Sequence, residues 1–567
     1  MPATSNRWLL LLALTGCGRF ADDLFCESEG CDWKAGEWSR VAALANPGPP
    51  PPDPSNEYLG NSAAEALGQA FFFDKAFSGV PTEKDAINRA SPPARTPKCQ
   101  PLAISCATCH ELARAGVDTT SVPGHVSVGA GWTDVNALAV VNSAYRPVVF
   151  WNGRADSLWA LNVVVGESPT TLNGNRLRTA HQIADRYARF YDDVFKERFG
   201  PLDIAAINKL PANGKPTVPA YDNLICDDKV MDRCRPHCDD NPDDDKDMIP
   251  CDERPEPAWE VEQKKPKAMV TRILVNWAKA IAAYEYRLNS SESAFDRFVV
   301  EGPGSGVISA SAQRGARLFV GKAGCVDCHF GPQFTDDQFH NIGVPQAGVT
   351  VPLLADCPMG NADCDCSPSG SRCAPWGAYD GLRRLRSKAN RWLRTGEWSG
   401  QPADLSRDSY IQRPLTDDLK GAWRTPSLRN VALTAPYMHD GRYATLEDVI
   451  WHYNTGGQSA GGEVVNPAGV AAQIKPLMLT DGEVADLVAF LETLTDKALP
   501  RMVAPEGVGL PTGIGGAPGE CTTGTGGAGG ATGMGGSTAG TGGAGGAGGV
   551  GGAGGMAGMA GQGASPP

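Results

Sequence analysis

Apolar positions recur with a helical period along most of this chain. Ser62-Ala-Ala-Glu65 reads as a capping box opening a helix through Leu67, Ala70 and Phe71. A long amphipathic helix is predicted over about 267–287, and a shorter one over Ala312–Val320. Thr480-Asp-Gly-Glu483 caps a closing helix on which Val484, Leu487, Val488, Leu491 and Leu494 form one stripe. Thr445 reads as an N-cap, with Leu446, Val449, Ile450 and Tyr453 following at i, i+3, i+4 and i+7. That spacing puts Tyr453 on a buried stripe and rotates His452 about 100° away. Strand-like alternation is scarce, and the pattern predicts a mainly α fold.

Composition divides the chain. Arg7 precedes the apolar run Trp8–Leu14, too short to span a membrane as a mature helix, and then Leu14-Thr15-Gly16-Cys17. Residues 1–17 therefore read as a signal peptide, with Cys17 as a lipidated residue resembling that of bacterial lipoproteins, or as an ordinary cleaved signal. Either reading puts the mature protein on the periplasmic side of the cell envelope, and the first tethers it to the membrane by a lipid anchor. Residues 18–56, Pro-rich from 46, read as a spacer. Residues 513–567 are almost entirely Gly, Ala, Ser and Thr and predict a disordered tail. The net charge of −13 argues against nucleic acid and suits a basic redox partner.

The pentapeptide Cys106-Ala-Thr-Cys109-His110 recurs as Cys325-Val-Asp-Cys328-His329. On one helical turn, residues i, i+3 and i+4 share a face, so two thiols can form thioethers with one porphyrin while the next imidazole reaches its iron. Cys106, Cys109, Cys325 and Cys328 are thus predicted to attach two c-type haems, with His110 and His329 as iron ligands. The two motifs divide the body into cytochrome c-like haem domains, 57–300 and 301–500. Of the 17 cysteines, four more cluster as Cys226, Cys234, Cys238 and Cys251 and four as Cys357, Cys364, Cys366 and Cys373. In an oxidising compartment these inserts, 226–251 and 357–373, predict two disulfides each, with a zinc at Cys226/Cys234/His237/Cys238 as the alternative.

Further segments carry a family resemblance. Leu67-Gly-Gln-Ala-Phe-Phe-Phe-Asp74, Phe150-Trp-Asn-Gly-Arg-Ala-Asp-Ser-Leu158, Phe339-His-Asn-Ile-Gly343, Thr425-Pro-Ser-Leu-Arg-Asn430 and Ala435-Pro-Tyr-Met-His-Asp-Gly441 resemble the bacterial di-haem cytochrome c peroxidases and their MauG-like relatives over about 57–497. The resemblance implies a peroxidatic N-terminal haem and an electron-accepting C-terminal haem. It implies that Trp151 relays charge between them, and that Asn136, Thr434 and Pro436 supply oxygen ligands to a calcium ion. His439 matches a histidine near the second haem. Tyr453 matches the distal iron ligand of the MauG-like branch, with Met438 as its rival. At the first haem, His125 is a candidate distal ligand; aligned on Ser127-Val-Gly129, that position is Ala130 and the iron is open. The peroxide-cleaving acid/base glutamate of the family falls on Thr171 and the nearby glutamine on Leu161, with Glu167 or Glu111 as substitutes.

The resemblance implies a haem-dependent oxidoreductase that reduces hydrogen peroxide with electrons from a small cytochrome or cupredoxin, with a homodimer as a candidate assembly. Two alternatives stand beside it: a MauG-like oxidase modifying residues of a partner protein through high-valent haem, and a non-catalytic tethered electron carrier.

Overall fold

Two helical cores account for most of the buried side chains. The computed structural model describes residues 33–79, 104–118, 121, 126–133, 135–168, 170–216, 258–259, 264–344, 377–387, 390–401, 409–457, 470–497 and 499. Cys17, His125, both cysteine-rich inserts and the Gly-rich tail lie outside these residues. The described part is mainly helical. Its strands are two-residue pairs, Lys215–Pro216 with Ala258–Trp259 in parallel and Phe339–His340 with Trp423–Arg424 antiparallel.

The first core gathers helices Ser62–Phe73, Leu158–Glu167, Arg176–Arg186, Ala188–Phe199 and Lys264–Glu285 around Phe71, Phe72, Trp159, Tyr187, Phe195 and Ile281. The second gathers Ala294–Glu301, Ala310–Val320, Leu446–Asn454 and Asp481–Glu492 around Phe295, Phe319, Phe334 and Phe490. The Phe295 and Phe490 rings meet edge to face at 5.5 Å, and Phe319 and Phe490 pack tilted at 5.2 Å. A smaller cluster on helix Ala378–Leu385 includes Phe339 and Tyr410.

Each core contains a close helix crossing, Ser62–Phe73 on Lys264–Glu285 in the first and Ala310–Val320 on Asp481–Glu492 in the second, and a glycine stands at each. A Cβ on Gly68 would lie 1.8 Å from the carbonyl oxygen of Ala280, and one on Gly315 would lie 1.9 Å from that of Asp486. The same packing solution thus appears in both halves, although the helices differ in length and sequence.

Helix boundaries follow their caps. Helix Ser62–Phe73 is capped by the Asn61 side chain, which accepts from the amides of Ala63 and Ala64, so the cap lies one residue before the predicted Ser62. An Asn carbonyl reaches two orphan amides at once and wins the position. The long helix runs Lys264–Glu285, and the helix expected at Ala312 begins at Ala310. Thr480 and Glu483 form the predicted capping box, with Val484, Leu487, Leu491 and Leu494 buried behind it.

Residues 33–56, expected as a spacer, are packed. Helix Ala35–Ala42 buries Val41 in the second core, where Trp33 and Leu44 join it. The Asn46 amide donates to Asp296, itself held by a bidentate buried pair with Arg429 at 2.9 Å. The chain then crosses to the first half, where Tyr286 donates to the carbonyls of Pro50 and Pro51. Tryptophan and leucine spaced for a helix outweigh the proline signal here, because they bury apolar area at about 25 cal/mol per Å².

The crossing argument gives a direct test. Gly315→Ala forces a methyl into a backbone carbonyl and should cost about 1–3 kcal/mol, read as a lowered denaturation midpoint. Gly482→Ala, where a Cβ meets nothing within 4 Å, should leave the midpoint unchanged or slightly raised.

Candidate functional site

The first Cys-x-x-Cys-His sequence forms one helical turn, Cys106–Cys109, capped reciprocally by Ser105 and Thr108. The chain then doubles back: Ala115 and Gly116 take φ of 59° and 75°, and the Glu111 amide bonds the Val117 carbonyl. This loop sets the Gly116 carbonyl 2.7 Å from His110 Nδ1. A carbonyl only accepts, so Nδ1 carries the proton and Nε2 is the nitrogen that would ligate iron.

The second sequence forms a tighter turn, Cys325–Asp327, entered through Gly324 at φ 62°. His329 Nδ1 lies 2.8 Å from the Phe334 carbonyl. Phe334 itself holds φ 52°, a conformation that costs a non-glycine residue roughly 1–2 kcal/mol. Its ring is fully buried among Phe295, Phe319 and Phe490, and that burial offsets the backbone cost. Burial also lowers the His329 pKa, which favours the neutral imidazole a metal needs. All four motif cysteines are free thiols rather than disulfides. Two thiols on one turn followed by an imidazole with Nδ1 committed fit a c-type haem in both places. Cys328, Asp336 and His340 also come within 4.8 Å of one another, but haem attachment would take the Cys328 sulfur.

Trp151 stands where the halves meet. Its indole N–H donates to the Asn136 carbonyl at 2.9 Å, and its own carbonyl accepts from the Arg424 amide at 2.8 Å. Its ring lies 6.3 Å from that of His439, which stacks on Trp423 at 4.1 Å and 18°. His439 is buried, its pKa far below the usual imidazole value through burial and then Arg442, and its Nε2 has no hydrogen-bond partner. Three aromatic rings in sequence therefore bridge the junction.

Asn136 and Pro436 adjoin the same place. Asn136 Nδ2 donates to the Pro436 carbonyl at 2.8 Å, while its Oδ1 is buried without a partner. The Thr434 hydroxyl, two residues away, donates to the Val431 carbonyl at 2.9 Å.

On helix Leu446–Asn454 burial differs from the periodic expectation. His452 is the buried residue and Tyr453 is half-buried. A separate loop covers His452, whose Nε2 bonds the Ile342 carbonyl at 2.8 Å and whose Nδ1 meets the Tyr443 hydroxyl at 3.0 Å. The Tyr453 phenol is close enough to Cys325 and Cys328 for both to act on it, after burial, in raising its pKa. Met438 is half-buried and holds φ 72°.

Near the first motif, Cys109 Sγ lies 3.9 Å from the Val128 carbonyl, and the Ala130 amide donates to the Thr171 carbonyl at 2.6 Å. The structure thus brings Ala130 and Thr171 together beside this turn. The Thr171 hydroxyl donates to the Val165 carbonyl at 2.5 Å. Glu167 is committed to Arg176 through contacts of 2.6, 2.9 and 3.1 Å, in a pair closed to solvent. Glu111 is exposed.

Sequence reasoning missed a set of charges drawn into the junction: Glu285 and Arg424 are buried, and Arg146 and Asp337 half-buried. Burial raises the Glu285 carboxyl to about 8, although Asn162 donates to it at 2.8 Å. Nothing in the sequence distinguishes these residues from solvated ones.

Residues 62–214 match the model of the di-haem cytochrome c peroxidase family. Cytochrome-c peroxidase IdrP1 of Denitromonas iodatirespirans is 28% identical over 455 residues, covering 79% of this chain and 85% of that protein. Methylamine utilization protein MauG of Methylorubrum extorquens is 32% identical over 224 residues, 40% of this chain and 44% of its own length. The diheme peroxidase BthA from Burkholderia thailandensis, 20% identical, aligns with a TM-score of 0.46 over 80% of this chain and 90% of its own. Two Cys-x-x-Cys-His turns, each followed by a carbonyl that fixes the imidazole, accord with this similarity to the di-haem cytochrome c peroxidases and MauG.

Proposed function

We propose that this protein reduces hydrogen peroxide at the haem held by Cys106, Cys109 and His110, with electrons entering at the haem held by Cys325, Cys328 and His329. The observation that carries this reading is the duplicated imidazole–carbonyl pair joined by Trp151. When bound, a c-type haem with an open axial position supplies peroxide binding and electron transfer. The chain's part is to hold each imidazole in one tautomer, to place aromatic rings between the halves, and to govern protons near the first haem. The donor is a small cytochrome or cupredoxin, which the acidic surface suits. Calcium at Asn136, Thr434 and Pro436 belongs to the same proposal, supported by the partnerless Asn136 Oδ1 beside the Pro436 carbonyl. So does a periplasmic location with a lipid at Cys17.

A second reading, oxidation of residues on a partner protein in the manner of MauG, is favoured by Tyr453. Its phenol near Cys325 and Cys328 suits a distal ligand to the second iron, and phenolate stabilises the oxidised metal more than a thioether does. His125 remains the candidate distal ligand of the first haem, and Ala130 beside Thr171 suits the open alternative.

Three outcomes are expected. Denatured, acid-acetone-extracted protein should retain about two haems per chain in a pyridine haemochrome assay, as two attachment motifs require; haem lost on extraction refutes covalent attachment. Tyr453→Phe should raise one midpoint potential by on the order of 0.1 V, within the ~0.8 V that axial ligands command. Met438→Leu should leave both potentials in place, and the reverse result would make Met438 the ligand. Because Thr171 offers no group that takes a proton near neutral pH, Thr171→Glu should speed peroxide-driven Soret decay by about 10²-fold. Glu167→Gln should not alter this rate; its ion pair makes it a stability residue, and its midpoint of denaturation should fall.

A further inference from the structure

The charges between the two motifs, Arg424 and Glu285 buried and Arg146 and Asp337 half-buried, do not balance. Arg424 is 1% exposed; its Nη1 donates to Asp337 at 3.2 Å and to the Thr425 carbonyl at 3.3 Å, and its Nε reaches the Phe150 carbonyl at 3.5 Å. Its Nη2 is buried with no partner. Arg146 donates Nη2 to the Ala139 carbonyl at 2.7 Å, and its buried Nε also has no partner. The two guanidinium groups are close enough to repel: burial, then Arg424, draw Arg146 down to about 9. Two carboxyls face them, and burial weakens both as counter-charges. Asp337 is raised above the usual carboxylate range, and Glu285 is raised to about 8 and is therefore mostly neutral at pH 7.

The location is equally specific. Asp337 follows Asp336, whose amide donates to the Cys328 carbonyl at 2.8 Å and whose carboxylate holds His340. Glu285, on the other side, is close enough to Cys106 to raise its thiol pKa, second to burial. The Arg424 amide bonds Trp151. Arg146 and Arg424 thus lie between the two attachment turns, on the path that Trp151 occupies.

We infer that Arg146 and Arg424 form a carboxylate-binding seat between the two haem sites, and that it receives propionate groups from the haems. This rests on the chain carrying two haems. A guanidinium group presents planar paired donors that match a carboxylate, and a propionate brings the negative charge this buried region lacks. An inorganic anion such as chloride or sulfate shares the charge but not the covalent tether.

The experiment uses full-length holoprotein and resonance Raman spectroscopy of the haem propionate bending band, with haem content measured on each sample. Arg424→Gln and Arg146→Gln should each shift the band and lower one midpoint potential, because a positive charge beside the oxidised haem is lost. Arg424→Lys keeps the charge and loses the fork: the band should shift while the potential stays near wild type. This variant decides the matter if Arg424→Gln does not fold. Asp337→Asn, which releases Arg424 from its present partner, should leave the band in place or strengthen the propionate bond. A band unmoved in every arginine variant, at two haems per chain, overturns the seat. A wild-type band or potential that follows added chloride or sulfate overturns it in favour of a solvent anion. Haem content below two in the wild type would instead refute the di-haem reading itself.

Discussion

An imidazole serves as a fixed axial ligand only when its second nitrogen is committed elsewhere, and both halves of this chain meet that demand with a backbone carbonyl. The Gly116 and Phe334 carbonyls capture His110 and His329 Nδ1 at 2.7 and 2.8 Å. Both accepting residues lie at positive φ, so in each case the chain must turn back on itself to deliver the oxygen. Much of the surrounding structure holds those two turns. Phe334 keeps its left-handed backbone because three phenylalanines enclose its ring, and Arg429 ties the same loop through the Pro332 carbonyl at 2.6 Å. Gly116 packs against Val140, whose side chain would meet any Cβ there at 2.8 Å.

The halves are joined by polar contacts as much as by apolar ones. Trp151 hydrogen-bonds Asn136 and Arg424 at once, so its ring is oriented by backbone groups drawn from both halves. The segment 33–56 reinforces the joint, packing on the second core and hydrogen-bonding to the first. Holding aromatic rings and axial imidazoles in a fixed relation is what electron transfer between two centres asks of a protein. Interactions in a water-poor junction are also stronger and less screened than at the surface.

Much of the fold was legible because it depends on local patterns. Thr480 with Glu483, and Thr445 with Asp448, form capping boxes, and helix Lys264–Glu285 follows its amphipathic period. Burial on short helices was less legible. His452 is buried and Tyr453 only half-buried because the loop at Ile342 covers the histidine's side of that helix. A periodic stripe records which face is apolar, and a polar residue with two hydrogen-bond partners can be buried outside it. The packing of residues 33–45 was hidden for the converse reason: a nearby proline tract signalled a spacer, whereas burial of Trp33, Val41 and Leu44 depends on a distant surface.

Sequence by itself determined the chemistry that lies within five consecutive residues. Two thiols and an imidazole on one turn have the arrangement that haem attachment requires, since their geometry is set by helical rise and radius alone. Tertiary structure decided what surrounds those sites. It paired Glu167 with Arg176, turned the Thr171 hydroxyl to a carbonyl, and buried Arg424 and Glu285 with Arg146 and Asp337 half-buried around them. An arginine is an arginine in any sequence; whether its charge is solvated, paired or left wanting an anion depends on groups far along the chain, and on the water that folding removes.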